Sequence, residues 1–194
     1  RDLKPSNLMI TRAGGVKIMD FGVAKAATNR YHTTSAETVK GTPAYMSPEQ
    51  LEACNPTHAR SPEELDGRSD LYSLAVMLWE LLHGERPFQD ERMGADWGKT
   101  LERMSERRRQ GVSPLAIRPA DPLTRELTRV LQVSLDPDPE QRWQDGSELA
   151  AQLQLCMNPR AQQLLNPPVG NWRRVVRMFP RSVLMMAVAF PNFL

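Results

Sequence analysis

Two cysteines in 194 residues, Cys54 and Cys156, are too few and too far apart for metal-ligand spacing. They read as two separate thiols, with one bridge between them as the alternative. Aromatic residues make up only 6% of the chain, and the net charge is only +2. So small an excess of positive charge gives no basis for nucleic-acid binding. No long repeat period is visible, and no apolar run reaches the ~20 residues that a membrane-spanning helix needs. The start carries no secretory signal and no initiator Met. It opens on Arg1-Asp2-Leu3-Lys4-Pro5, as the middle of a longer sequence would. What is present is ordinary: 40% apolar and 25% charged residues, enough for one domain with a core and too balanced for wholesale disorder.

One absence is local. Residues 149–194 contain no Asp or Glu but five arginines: Arg160, Arg173, Arg174, Arg177 and Arg181. All 23 acidic side chains lie before them, so the tail is a different physical object from the body. The expected organisation is a body over 1–157, a basic, Pro-containing linker over 158–182, and an uncharged, mostly apolar run over 183–194.

Within the body, Leu8-Met9-Ile10 and Val16-Lys17-Ile18-Met19 flank Ala13-Gly14-Gly15, which predicts a β-hairpin with a glycine turn. Residues 20–50 are rich in Ser, Thr and Gly without a helical period, and predict a long loop. Compact domains keep such loops chiefly for function. A helix is expected from Asp70 to His83-Gly84. Leu71, Leu74, Leu78, Leu81 and Leu82 form one face, and Val76, Met77 and Trp79 make the helix apolar almost all round, hence buried. A second helix over 94–109 has Trp97, Leu101 and Met104 as its stripe. Its terminal Arg107-Arg108-Arg109 reads as cations at the negative end of a helix dipole, not as a binding patch. A third helix follows Pro122, with Leu123, Leu127, Val130 and Leu131 inward. A fourth is capped by Asp145 with Glu148 three residues on, and buries Leu149 and Leu153. Two strands and then four helices make a mainly α fold with a small β-hairpin.

The chemistry-bearing residues come first in the chain. Asp2, Asn7 and Asp20 are two carboxylates and an amide that flank the hairpin and can converge on one point. Such oxygens suit Mg²⁺, a hard cation that shares its coordination with substrate phosphates. Asp2-x-Lys4-x₂-Asn7, followed after a hairpin-length gap by Asp20-Phe21-Gly22, is a specific pattern.

Arg1-Asp2-Leu3-Lys4-Pro5-Ser6-Asn7 resembles the catalytic loop of eukaryotic-type protein kinases, and Asp20-Phe21-Gly22 resembles their magnesium-binding motif. Gly41-Thr42-Pro43-Ala44-Tyr45-Met46-Ser47-Pro48-Glu49 is similar to the end of their activation segment. Asp70 with Tyr72-Ser73 matches the start of the central helix of the large lobe, and Arg142, within Asp136–Trp143, matches a late arginine. The resemblance covers residues 1–155 and implies a bacterial-like Ser/Thr kinase large lobe that uses ATP and Mg²⁺. Asp2 would orient and deprotonate the substrate hydroxyl. Lys4 would neutralise charge on the transferring phosphoryl group, and Asn7 and Asp20 would hold magnesium. Thr42 matches the threonine that contacts the catalytic Asp and Lys. The lysine two residues after Asp2, with Gly41-Thr42-Pro43, favours Ser/Thr over Tyr as acceptor. Glu49 and Arg142 would form a buried ion pair that anchors the activation segment, and Asp70 would accept hydrogen bonds from the catalytic-loop backbone. Thr38, three residues before Gly41, is the first candidate for an activating phosphate and Thr34 the second. Arg1 and Lys25 match the basic residues that would receive it.

The sequence departs from the family pattern at Ser47, where alanine is usual, and at Ala75, where glycine is usual. Upstream features are also absent: a Gly-rich phosphate loop, a strand lysine, its partner glutamate and a hinge. The resemblance therefore implies a large lobe without its small lobe, inactive by itself. Two function classes follow. One is the C-terminal part of an active Ser/Thr kinase acting on protein substrates. The other is a non-catalytic, kinase-like interaction module. The tail adds a third question. Val183–Leu194 is apolar and follows four arginines at 173–181, as the positive-inside rule places them on a cytoplasmic side. Bacterial members of the family often join a cytoplasmic kinase domain to a basic stretch and one span. A cut membrane segment and a tail packed on the lobe or disordered are both open.

Overall fold

The computed structural model describes residues 3–19, 43–89, 96–113 and 121–158. The chain divides into two units, 1–154 and 155–194. Of the second, the described residues are 155–158, and 155–157 close the last helix.

The hairpin forms as its glycines predict. Strand β1 (Leu8–Ile10) pairs antiparallel with β2 (Val16–Ile18), Leu8 opposite Ile18 and Ile10 opposite Val16. Gly14 sits at φ +80°, the left-handed conformation that costs any other residue. Its N–H donates to Thr11 O at 2.9 Å, and Thr11 N–H donates to Gly15 O at 2.8 Å, closing the turn.

Five α-helices follow among the described residues: α1 (Pro48–Cys54), α2 (Gly67–His83), α3 (Trp97–Arg109), α4 (Pro122–Ser134) and α5 (Gly146–Met157). The first corrects the sequence expectation, which ran loop through residue 50. Ser47 caps α1 through its hydroxyl, which accepts from Gln50 N–H, while the Gln50 side chain accepts from Ser47 N–H and Pro48 takes the first turn. This reciprocal cap stabilises a helix of seven residues, too short to show a period.

Helix α2 starts a turn earlier than expected. Asp66, not Asp70, is its cap, accepting from Arg68 N–H. Gly84 ends it at φ +77°. The buried face also differs from the leucine stripe. Tyr72, Ala75, Val76 and Trp79 form the core with Phe88, Leu131 and Leu135, whereas Leu81 is 81% exposed. The spacing 72, 75, 76, 79 is one helical face. Of the predicted leucines, Leu71 is buried, while Leu78 and Leu82 border the core.

Helices α3 and α4 follow their predicted stripes. Leu101 and Met104 pack against Leu51 of α1, with Trp97 at the edge. Val130 and Leu131 are buried in α4, while Leu123 and Leu127 are half-buried. Asp145 caps α5, accepting from Ser147 and Glu148 N–H at 2.8 and 2.9 Å. Leu149 is buried and Leu153 half-buried. The result is mainly α with one hairpin, as the sequence predicts. None of the described helices is long and apolar enough to cross a membrane. The tail run 183–194 lies outside the described residues.

Candidate active site

Lys4 and Asn7 bracket a single 3₁₀ turn, Pro5–Asn7, that leads into the hairpin. Pro5 fixes the first position of that turn, and Asn7 N–H donates to Lys4 O at 2.9 Å. Lys4 and Asn7 are both half-buried. Across the hairpin mouth, Met19 N–H donates to Asn7 O at 2.7 Å. The backbone at Asn7 is therefore tied to the residue that precedes Asp20 in sequence. A carboxamide and a following carboxylate are oxygen donors of the kind magnesium takes. Arg1, Asp2, Asp20, Thr34, Thr38, Thr42 and Lys25 lie outside the described residues. Among the described residues no group of three or more His, Cys, Asp or Glu could hold a metal.

The segment after Thr42 is anchored from several sides. Pro43–Tyr45 forms one 3₁₀ turn. The Tyr45 hydroxyl donates to Glu80 Oε2 at 2.9 Å, and Arg86 lies 5.6 Å over the Tyr45 ring. Arg108 corrects the expectation for the arginine cluster. It is 2% exposed, not a cation at a solvated helix end. Its Nη2 donates to Pro43 O at 2.8 Å and to Ala44 O at 3.0 Å, and its Nη1 donates to Met104 O at 3.2 Å. The guanidinium lies 5.5 Å over the Phe88 ring. Arg109 instead pairs with buried Glu52, donating from Nε to Oε1 at 2.7 Å.

Glu49 and Arg142 meet as a two-pronged pair. Arg142 Nη1 donates to Oε1 at 2.6 Å and Nη2 to Oε2 at 2.9 Å, both residues being buried. Arg142 also donates to the Asp136, Pro137 and Arg68 carbonyls and lies 4.8 Å over the Tyr72 ring. Ser69 Oγ donates to Glu49 Oε1 at 2.8 Å. Burial by itself pushes the Glu49 carboxyl up. The hydrogen bonds and charge of Arg142, with smaller help from its own N–H and Ser47, reverse this and hold it below the usual glutamate range. Burial likewise pushes the Tyr72 phenol up, against the charges of Arg108 and Arg142. Asp70 is half-buried in the first turn of α2; its expected partners, the catalytic-loop backbone, include residues outside those described.

Sequence comparison resolves the family. Residues 1–156 match the protein kinase domain model.

The chain belongs to the protein kinase family.

Bacterial Ser/Thr kinases are among the relatives of this kinase sequence. It is 35% identical over 161 residues to a probable serine/threonine-protein kinase of Streptomyces coelicolor, covering 81% of this chain and 21% of the relative. It is 36% identical over 154 residues to the serine/threonine-protein kinase PknB of Mycolicibacterium smegmatis, covering 79% and 22%. It is 34% identical over 161 residues to the serine/threonine-protein kinase Pkn1 of Myxococcus xanthus, covering 81% and 21%. The kinase chain thus spans about a fifth of the length of these curated relatives.

Sequence reasoning missed Arg108, the Tyr45–Glu80–Arg86 group and the cap of α1. The cap had a local signal, Ser47-Pro48-Glu49-Gln50. The other two had none, because their partners are 35 and 65 residues apart along the chain.

Proposed function

We propose that this lobe is part of a Ser/Thr protein kinase that transfers the γ-phosphate of ATP to Ser or Thr hydroxyls of proteins, together with a small lobe that supplies the roof over ATP. The observation that supports it most directly is the 2.7 Å hydrogen bond from Met19 N–H to Asn7 O. It ties the backbone of the amide-bearing residue to the residue that precedes Asp20 in sequence, which supports a cation site shared by the two.

Phosphoryl transfer asks little covalent chemistry of a protein; positioning and charge neutralisation carry it. Asp2 orients the acceptor hydroxyl and accepts its proton. Lys4 sets a positive charge beside the phosphoryl group in flight. Asn7 and Asp20 hold magnesium, which when bound supplies Lewis-acid neutralisation of the phosphate oxygens. Thr42 contacts Asp2 and Lys4, as its match in the family does. The basic stretch at 173–181 and the apolar run after it suit a cytoplasmic lobe tethered to a membrane, and residues 183–194 are proposed as part of that tether.

The test is phosphate transfer from labelled ATP to Ser, Thr and Tyr peptides by a chain carrying residues 1–194 behind a small lobe. Transfer to Ser and Thr peptides is expected, with Asp2→Asn slowing it by about 10²–10⁴, the usual worth of a positioned general base. Equal rates for the variant and the parent would refute the assignment.

A further inference from the structure

The buried arginine of α3 has a purpose that a helix-end cation would not need. Burying a guanidinium is costly unless its donors are met. Here one nitrogen, Nη2, meets two successive carbonyls, Pro43 O and Ala44 O, at 2.8 and 3.0 Å. The opposite nitrogen, Nη1, is held by Met104 O of its own helix, so the cation is braced against α3. The guanidinium carbon lies 5.5 Å over the Phe88 ring, which stacks on Tyr72 of the core, centroids 6.4 Å apart. Pro43 O also accepts from Met46 N–H at 3.3 Å, the bond that closes the 3₁₀ turn. The turn that follows Thr42 directly is therefore fastened to α3 and the helical core through one planar group.

We infer that Arg108 is a positioning residue for the acceptor hydroxyl: it fixes the Pro43–Ala44 peptide, at the end of the stretch that resembles an activation segment, so that a protein acceptor is met in one register. This rests on the phosphotransfer function proposed above. Lysine would keep the charge but not the planar group that reaches Pro43 O and Ala44 O from Nη2 while Nη1 is held by Met104 O. A change at Arg108 should act on the protein substrate and not on ATP, because the contacts it makes are to the acceptor side of the chain. Misplacing reacting groups by about 1 Å costs on the order of 10²-fold in rate.

The experiment compares Arg108→Lys and Phe88→Leu with the parent, in a chain carrying residues 1–194 behind a small lobe. Steady-state kinetics vary peptide and ATP separately, and amide hydrogen exchange is followed over 43–46. For Arg108→Lys, kcat/KM for a Ser/Thr peptide should fall about 10- to 100-fold. KM for ATP should stay within about twofold, and exchange at Met46 should quicken while α2 keeps its protection. Phe88→Leu, which keeps the guanidinium and loosens its seat, should move the same quantities less. If Arg108→Lys does not fold, Phe88→Leu alone must show the peptide-specific loss. Unchanged exchange at Met46, or peptide and ATP constants that worsen together, would overturn the inference. So would peptide kinetics within twofold of the parent. A parent that transfers no phosphate to any peptide defeats the kinase function itself, and this inference with it; an active parent with an indifferent Arg108 defeats only the inference.

Discussion

Replacing Arg142 by Met should be the most damaging single change in the lobe, and its pH dependence should have a distinctive sign. The side chain makes a two-pronged bond to Glu49 at 2.6 and 2.9 Å, donates to three carbonyls, and covers the Tyr72 ring. Methionine restores some volume but leaves the Glu49 carboxylate buried with only Ser69, Ser47 and backbone donors near it. Removing one partner of a buried pair costs about 3–5 kcal/mol. For a domain of this size that lowers Tm by roughly 6–20 °C. Glu49→Gln keeps an oxygen acceptor for Arg142, so it should cost about 2 kcal/mol, the worth of a hydrogen bond to a charged group. In the parent, the Glu49 carboxyl titrates below its ordinary 4.5. Its contribution is therefore full above 4.5 and is lost as pH falls through the lower folded value. In Arg142→Met only burial remains as the large influence, and burial raises a carboxyl. The folded state of the variant then binds the proton more readily than the unfolded chain, so the deficit against the parent should shrink as pH is lowered from 7 towards 5. Urea titrations of parent, both single variants and the double variant at pH 7 and pH 5 measure this. A deficit under about 1 kcal/mol at pH 7, or one that widens on acidification, would refute the reasoning.

Three further outcomes are expected. Asp20→Asn, in a chain carrying its small lobe, should lose magnesium-dependent transfer with melting unchanged, because the amide keeps the volume of the carboxylate and removes only its charge; parent-like turnover at ordinary magnesium counts against it. Mass spectrometry of active full-length protein should find phosphate chiefly on Thr38 and next on Thr34, and both unmodified would be a contrary result. Deleting residues 159–194 should improve solubility and leave Tm nearly unchanged if 183–194 belongs to a membrane tether. A clear drop in Tm would mean instead that the tail buries apolar side chains on the lobe, each worth about 1.5–3 kcal/mol.

What the sequence determined by itself is what neighbouring residues decide between them. The hairpin followed from Gly14, whose left-handed φ closes a turn within five residues. Helices α3, α4 and α5 followed from a stripe, a proline at the first turn and an aspartate cap, all local signals. The candidate motif of Asp2, Lys4, Asn7 and Asp20 is legible because its members fall within twenty residues of one another. Resemblance supplied the pairing of Glu49 with Arg142, which are 93 residues apart. Tertiary structure alone decided which of three adjacent arginines turns inward. Successive residues on a helix point about 100° apart, so Arg107, Arg108 and Arg109 face three directions. Only the presence of Pro43, Ala44 and Phe88 on one side makes Arg108 a buried anchor, while Arg109 meets Glu52. The same holds for α2. Its leucines and its aromatic face are equally apolar in sequence. Packing against Leu131 and Leu135 selected Tyr72, Ala75, Val76 and Trp79, and left Leu81 in water.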